Sequence, residues 1–326
     1  MAITIGSGIS IGGGITISSP GPDLYPYFSF TWTNASATGR SGPTLANCLA
    51  SYDTATYSWL TNTAYFNVIN GIQYWTVPKT ATYRVVAAGA EGGTFGSRPR
   101  IGGAIIQSTF DLTQGEIIQI LVGQSGAASN NYYGSGGGAS FVVRTPYNTN
   151  GSILVIAGGG AGINYRSGSP TYLTTAPGQA GLAPGNIAGT EASNGGGGGA
   201  ALSNGSNATN GGNQASTGWG AGGGGFFGNG GYSGTAPGGV NGAQGGFSFT
   251  NGGLGGLGYS GSNGGFGGGG GSSGACGAGG GGYNGGTAGD NSTFGGGGGS
   301  YNGGTNPTAF ADANPGQGSV NIYVVL

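Results

Sequence analysis

Runs of glycine fill the second half of this chain: GGGGG at 195–199, GGFGGGGG at 264–271 and GGGGGSYNGG at 295–304. Glycine supplies 86 of the 326 residues. A run without side chains cannot build an ordinary core, and glycine loses more conformational entropy on ordering than any other residue. Such a run is either a flexible coil or part of an array in which bare backbones pack against one another. The array needs an extended helix of about three residues per turn, whose N–H and C=O groups all point sideways. Each of those groups needs an external partner. A neighbouring glycine rod can provide one, together with close Cα–H···O contacts. This arrangement, polyglycine II, is the reading adopted for the runs.

Charge is nearly absent, with 7 Lys and Arg, 8 Asp and Glu, no His, and Lys79 as the sole lysine. Disordered chains of similar polarity are rich in charge, and a collagen would show a strict Gly-X-Y period. Neither description fits. A net charge of −1 without a basic patch argues against nucleic acid, where phosphate neutralisation supplies much of the affinity. The lack of histidine removes the commonest general base and metal ligand and makes a Ser-His-Asp triad impossible. No lysine follows a glycine run, so there is no P-loop. No enzyme, cofactor or metal is therefore expected. Asp53, Asp111 and Asp312 read as turn or edge residues, because no clustered Asp/Asn loop surrounds them.

No segment approaches the roughly 20 apolar residues of a membrane span, so no membrane insertion is expected. The N-terminus lacks a basic region followed by an apolar one, so no signal peptide is expected either. Cys48 and Cys276 have no metal-site spacing; they pair with each other or stay as two buried thiols. Asn34, Asn204, Asn207 and Asn291 head glycosylation sequons but read as unmodified turn residues.

Residues 1–22 form an arm. Ile3, Ile5, Ile9, Ile11, Ile15 and Ile17 alternate with Gly and Ser, the period of a strand with one apolar face. No hairpin partner is evident beside it. Either the arm attaches the protein to another subunit, or it is a strand of the chain's own sheet. Residues 23–160 look like an antiparallel β-sandwich or jelly-roll-like region, with strands at 64–68, 72–77, 81–88, 104–112, 117–122, 139–144 and 152–157. Asn70-Gly71 and Pro78-Lys79 sit where turns are expected. Thr113-Gln114-Gly115 reads as a hairpin loop. Residues 161–317 are the glycine-rich polyglycine II region, and 318–326 form a closing strand that returns the chain to the sheet. The fold class expected is all-β plus polyglycine II, with no substantial α-helix.

Aromatic residues interrupt the glycine. Phe226 and Phe227 are expected to pack over the glycine array. Tyr132, Tyr133 and Trp219 either pack over the array in the same way or are the candidate receptor-binding residues, because Tyr and Trp are the usual anchors of recognition surfaces. Arg98-Pro99-Arg100, the only local cationic pair, reads as a solvated loop or as a contact for an anionic glycan.

Six ordered stretches carry a resemblance: ATGRSGPTLANC (37–48), GIQYWTVPKTATYRVVAAGAEGG (71–93), FDLTQGEIIQILVGQSG (110–126), GGGASFVVR (136–144), ILVIAGGGAG (153–162) and GGFGGGGGSSGACGAGGGGYNGGTAGDN (264–291). They resemble the glycine-rich module of the anaplastic lymphoma and leukocyte receptor tyrosine kinase ectodomains. The resemblance implies a jelly-roll-like β layer joined to a bundle of polyglycine helices. The family's first cysteine, expected near Ala35, is missing. No kinase and no transmembrane helix accompany the module, so receptor signalling does not carry over.

The Ile/Gly arm is similar to the start of marine phage structural proteins, and the glycine bundle is similar in architecture to the tip adhesin of T-even-type long tail fibres. These resemblances imply a bacteriophage virion protein, released by lysis, that recognises a host surface glycan or outer-membrane protein through loops between glycine runs. The alternative is a purely structural subunit, an extracellular filament or capsid decoration protein, linked through its N-terminal strand.

Overall fold

The computed structural model describes residues 10–11, 15–16, 21–94, 100–128, 134–163, 185–186, 220–233, 242–273, 276–289 and 295–325. The strands in chain order are β1 (Ser10–Ile11), β2 (Ile15–Thr16), β3 (Ser29–Trp32), β4 (Phe66–Ile69), β5 (Ile72–Thr76), β6 (Ala81–Ala88) and β7 (Gly103–Leu112). They continue with β8 (Ile117–Leu121), β9 (Ser140–Arg144), β10 (Ile153–Ala157), β11 (Gly185–Asn186), β12 (Tyr301–Asn302), β13 (Thr305–Asn314) and β14 (Ser319–Val324). The protein is mostly β, built on two antiparallel sheets. One has the order β13-β7-β6-β14-β3, the other β11-β12-β10-β9-β8-β5-β4. The only α-helix among the described residues, α1 (Leu45–Ser51), is closed by a capping box between Thr44 and Asn47.

The seven strands read from the sequence are all present. The Asn70-Gly71 turn joins β4 to β5 with both residues at positive φ, +51° and +84°, the conformation of a two-residue hairpin turn. Three expectations need correction. Thr113–Gly115 is not a hairpin loop, because β7 and β8 lie in different sheets and the segment crosses between them. The arm does have a local partner: the backbone of Ser10–Ile11 pairs with that of Ile15–Thr16. Ile3, Ile5, Ile9 and Ile17 lie outside the described residues. Strand β13 was not foreseen within the glycine-rich region. Its sequence, TNPTAFADAN, contains Pro307 and puts Asn306 and Asp312 at φ +51°. Local propensity argues against a strand there, and pairing with β7 along one edge overrides it, with two register irregularities.

The two sheets enclose an aromatic core. Trp75, Ile118, Ile120 and Val142 come from one sheet, and Phe30, Trp32, Tyr83, Val85 and Ile322 from the other. Tyr25 stacks on Trp59 at 5.1 Å between centroids, and Phe30 meets Trp32 edge-on at 4.9 Å, geometries favoured by ring quadrupoles. The Tyr27 hydroxyl donates to the Ile322 carbonyl at 2.8 Å. Burial raises the phenol pKa of Tyr25 and Tyr27 and pushes that of Tyr83 up to about 12. Cys48 is a free buried thiol in this core, so a Cys48–Cys276 bridge is not made.

Beyond the sheet ends the strands do not stop. β6 runs on as Gly89–Thr94, β8 as Val122–Ala127, β10 as Gly158–Ile163, and Gly134–Ala139 leads into β9. In these segments the hydrogen bonds change period. Gly136 donates to Gly270, Gly137 to Gly160, Gly138 to Gln124, and Ala139 returns to the first neighbour at Gly267. The same step of three recurs in antiparallel pairs, Gly159 to Gly281 and Gly162 to Ala278. It also recurs in parallel pairs, Gly280 to Gly296 and Tyr283 to Gly299. Successive N–H groups therefore point in three directions around each segment, and the segments form a lattice of buried backbone.

Glycine is required in this lattice chiefly because neighbouring backbone fills the place of a side chain. A Cβ built on Gly138 would overlap the carbonyl of Phe266, one on Gly281 that of Gly267, and one on Gly160 that of Ile101, each well inside the 3.0 Å that real Cβ atoms keep. None of these three residues has positive φ. Alanine is tolerated at selected lattice positions, such as Ala161, Ala221 and Ala278, all fully buried.

Two predictions follow from this architecture. Gly138→Ala and Gly281→Ala are expected each to destabilise the protein by about 1–3 kcal/mol or more, the cost of overpacking against backbone that cannot yield. Gly151→Ala and Gly316→Ala, where a Cβ meets nothing within 4 Å, are the controls and should shift urea midpoints little. Equal midpoints for the two sets would refute the steric account. The second prediction concerns alkali. A phenol whose folded pKa is raised contributes stability below its unfolded pKa and loses it as pH rises. Unfolding is thus expected once the pH passes about 10, the pKa of an exposed tyrosine. Tyrosinate absorbance from Tyr25, Tyr27 and Tyr83 should appear together with the loss of β circular dichroism; its appearance in a still-folded protein would contradict their burial.

Candidate binding tip

The lattice has two ends with different chemistry. Its sheet-side end is apolar. Phe226, Phe249, Phe266 and Tyr283 project from turns between glycine segments and pack with Leu121, Phe141, Val143, Ile153 and Ile156 on the outer face of the seven-stranded sheet. Phe226 stacks on Phe249 at 5.2 Å with an interplanar angle of 8°. Phe227 meets Phe226 edge-on at 4.7 Å. Phe226 and Phe227 thus pack into this ring cluster against the sheet, where the sequence reading put them over the glycine array. The sheet is covered on both faces, which explains why β10 reads ILVIA with every residue buried.

The far end holds the described residues that flank 95–99, 129–133, 234–241, 274–275 and 290–294, together with Ile163 and Gly220; β11, between those last two in sequence, pairs with β12 in the sheet. These flanking residues form hydrogen-bonded stems. Gly93 donates to the Ser135 carbonyl at 2.7 Å, Gly134 to Ile163 at 2.7 Å, and Ile163 back to Gly93 at 3.2 Å. Gly162 donates to Ala278, Ala278 to Gly134, and Gly289 to Gly277. Gly220 bridges Ser272, and Ser233 bridges Ala243. The Ser135 hydroxyl donates to the Ser262 carbonyl at 2.5 Å, and the Ser272 N–H donates to the same carbonyl at 3.0 Å. Hydrogen bonds thus tie the stems at Gly93, Gly134, Ile163, Gly220 and Ala278 to one another, and those at Ser233 and Ala243 to each other.

Of the residues singled out in the sequence, Tyr132, Tyr133 and Trp219 lie outside the described residues. Tyr133 immediately precedes Gly134 and Trp219 immediately precedes Gly220, both of them stem residues. Two exposed tyrosines at this end were not singled out: Tyr232, 48% exposed, and Tyr259, 36% exposed. Their signal is a repeated tetrapeptide, Gly-Tyr-Ser-Gly, at 231–234 and 258–261. The Tyr259 N–H donates to the Ser272 carbonyl at 2.9 Å, which anchors it beside the stems.

Among the described residues at this end, charged groups are few. Arg100 pairs with Glu91 at 2.9 Å, so this half of the Arg98/Arg100 pair is not a free cation; Arg98 lies outside the described residues. Burial raises the Glu91 pKa, against the lowering effect of Arg100. Of the aspartates read as turn or edge residues, Asp53 caps a turn and Asp312 lies on the edge strand β13, whereas Asp111 lies in β7, between β13 and β6. Asp53 accepts from the Ala55 and Thr56 N–H groups, Asp111 from the Thr82 hydroxyl, and Asp312 from the Gly102 N–H. The Asn34 amide donates to the Ala37 carbonyl at 2.6 Å. Among the described residues there is no group of three His, Cys, Asp or Glu side chains placed to hold a metal ion. No helix among them is long and apolar enough to cross a membrane.

Comparison with known proteins gives a partial likeness. The leukocyte tyrosine kinase receptor of Mus musculus is 34% identical over 99 residues, which are 30% of this chain and 11% of that receptor. The matched stretch thus covers about a tenth of that receptor's length. No protein-family model matches the chain.

The Glu91–Arg100 pair makes a testable stem. Arg100→Ala is expected to cost up to about 1 kcal/mol at neutral pH, the scale of a partly exposed ion pair. Because burial disfavours the Glu91 carboxylate, its protonation removes the unpaired charge. The deficit of Arg100→Ala should therefore shrink as pH falls through the Glu91 titration. Chemical denaturation at several pH values checks this, and a deficit that grows on acidification would contradict the pairing.

Proposed function

We propose that this chain is a bacteriophage virion protein at an exposed position, a fibre or tail-tip adhesin, that recognises a host surface through residues between its glycine segments. Its described lattice segments are read as polyglycine II helices, for which the three-residue hydrogen-bond step is the support. The two-sheet layer is read as jelly-roll-like. The observation that carries the functional reading is the convergence of the stems. Stem residues far apart in sequence, including Gly134 next to Tyr133 and Gly220 next to Trp219 in the chain, meet at one hydrogen-bonded end beside the exposed Tyr232 and Tyr259. Rigid stems lower the ordering cost of binding, and aromatic anchors supply contact area at low entropic cost.

The partner in this reading is a host surface glycan or outer-membrane protein. Residues 1–22 attach the protein to other virion proteins or to further copies of itself. No catalytic role, cofactor or nucleic-acid partner is assigned. Receptor-kinase signalling is not proposed, since the likeness to the mouse receptor covers so little of it. A purely structural, self-assembling subunit is the second reading. It is favoured by β13, a ten-residue edge strand with Phe310 58% exposed, which offers a place for another chain to pair.

Two variants separate the readings: Tyr132→Ala/Tyr133→Ala/Trp219→Ala and Tyr232→Ala/Tyr259→Ala. Each is expected to lower binding of the labelled protein to susceptible cells by about tenfold or more, the scale of losing aromatic anchors, with an unchanged melting temperature. Unchanged cell binding by both variants, or no binding to any susceptible strain by the parent protein, would overturn the adhesin reading. Deletion of residues 1–22 is expected to leave a folded protein absent from virions; normal incorporation would remove the arm's assigned role.

A further inference from the structure

A trough lies away from the tip, where the β4/β5 edge of the seven-stranded sheet meets the sheet-side turns of the lattice. It has two lobes, of ≈ 410 Å³ and ≈ 500 Å³, which share Asn70, Asn251 and Gly252. Both fall within the about 300–1,000 Å³ of small-ligand sites. We propose that this trough binds a neutral oligosaccharide. The site is separate from the tip, and the proposal does not rest on the adhesin reading.

Three observations carry it. First, neither lobe is lined by any Lys, Arg, Asp or Glu. An anionic ligand would enter without a counter-charge. Second, the polar lining consists largely of amides and hydroxyls. Asn70, Asn148 and Asn251 line the trough with exposed side chains, and a primary amide both donates and accepts. Sugar hydroxyls also do both, whereas an apolar ligand would strand those amides. Third, the trough has aromatic walls fixed in advance. Tyr74 and Tyr147 meet at 6.4 Å and 74°. The Gln119 amide donates to the Tyr74 hydroxyl at 2.9 Å, which leaves that hydroxyl's hydrogen for a ligand, and the Tyr147 hydroxyl donates to the Ile117 carbonyl at 3.1 Å. The Asn251 amide donates to Asn229 at 3.0 Å and keeps its carbonyl oriented. Rings held this way offer an apolar surface to the C–H face of a sugar without a reordering cost.

The test is calorimetric titration of the full chain with cellohexaose, maltohexaose and an N-acetylglucosamine hexamer, with a uronic-acid hexamer and a strand-forming peptide as rivals. At least one neutral hexamer is expected to bind, with an affinity insensitive to added salt. Tyr147→Ala should weaken it by about tenfold, equal to about 1.4 kcal/mol. Asn148→Arg occupies the lobe from an exposed position and should weaken it equally, which keeps the test valid if Tyr147→Ala misfolds. Tyr232→Ala/Tyr259→Ala should leave it unchanged, so failure of the tip reading and failure of this one are distinguishable. Binding of no neutral hexamer, binding that survives both trough variants, or binding confined to the uronic-acid hexamer or the peptide would overturn the proposal.

Discussion

The hydrogen bond between two backbones that carry no side chain is the interaction on which the rest of the molecule depends. At Gly138, Gly160 and Gly281 the space a Cβ would take is already occupied by a neighbouring carbonyl. An unpaired buried N–H or C=O costs more than a made hydrogen bond gains, so each segment is stable only with its neighbours on every side. That requirement explains why the lattice includes pieces of chain far apart in sequence: 89–94, 122–127, 134–139 and 158–163 from the sheet-rich part, and the segments after 220 from the glycine-rich part. The described segments of the two parts share these hydrogen bonds and are interlocked.

Hydrophobic burial then orients the lattice. Phe226, Phe249, Phe266 and Tyr283 cluster on the sheet-side end and clamp the lattice to the outer face of β8, β9 and β10. The other end keeps its polar stems and its exposed Tyr232 and Tyr259. The chain thus separates two tasks by position. Large rings facing the sheet hold the fold together, and in the adhesin reading proposed above the residues at the opposite end are the ones that meet other molecules.

Much of this was legible in the sequence, and the reasons for what was not are physical. The strands rich in Val, Ile and aromatics announced themselves, as did the Asn70-Gly71 turn, because their residues satisfy local rules. Strand β13 did not, since Pro307 and two positive-φ residues disguise a strand that exists only because β7 offers it an edge. The crossing at Thr113–Gly115 imitates a hairpin, because local sequence does not record which sheet a strand joins. Packed glycine was inferable from the runs. The meeting of the stems was not, since it depends on a step of three that links residues such as Gly93, Gly134 and Ile163. Tyr232 and Tyr259 could have been found from their repeated tetrapeptide. The trough beside Tyr74 and Tyr147 belongs to no single stretch of chain.

The lattice also alters how such a protein answers to temperature. Unfolding an ordinary core exposes hydrocarbon to water and raises the heat capacity, whereas exposing peptide groups lowers it. Melting these segments releases bare backbone and little hydrocarbon. Their contribution flattens the stability curve, so cold weakens them less than it weakens an oil-like core. The aromatic sandwich supplies the curvature, and the glycine half damps it.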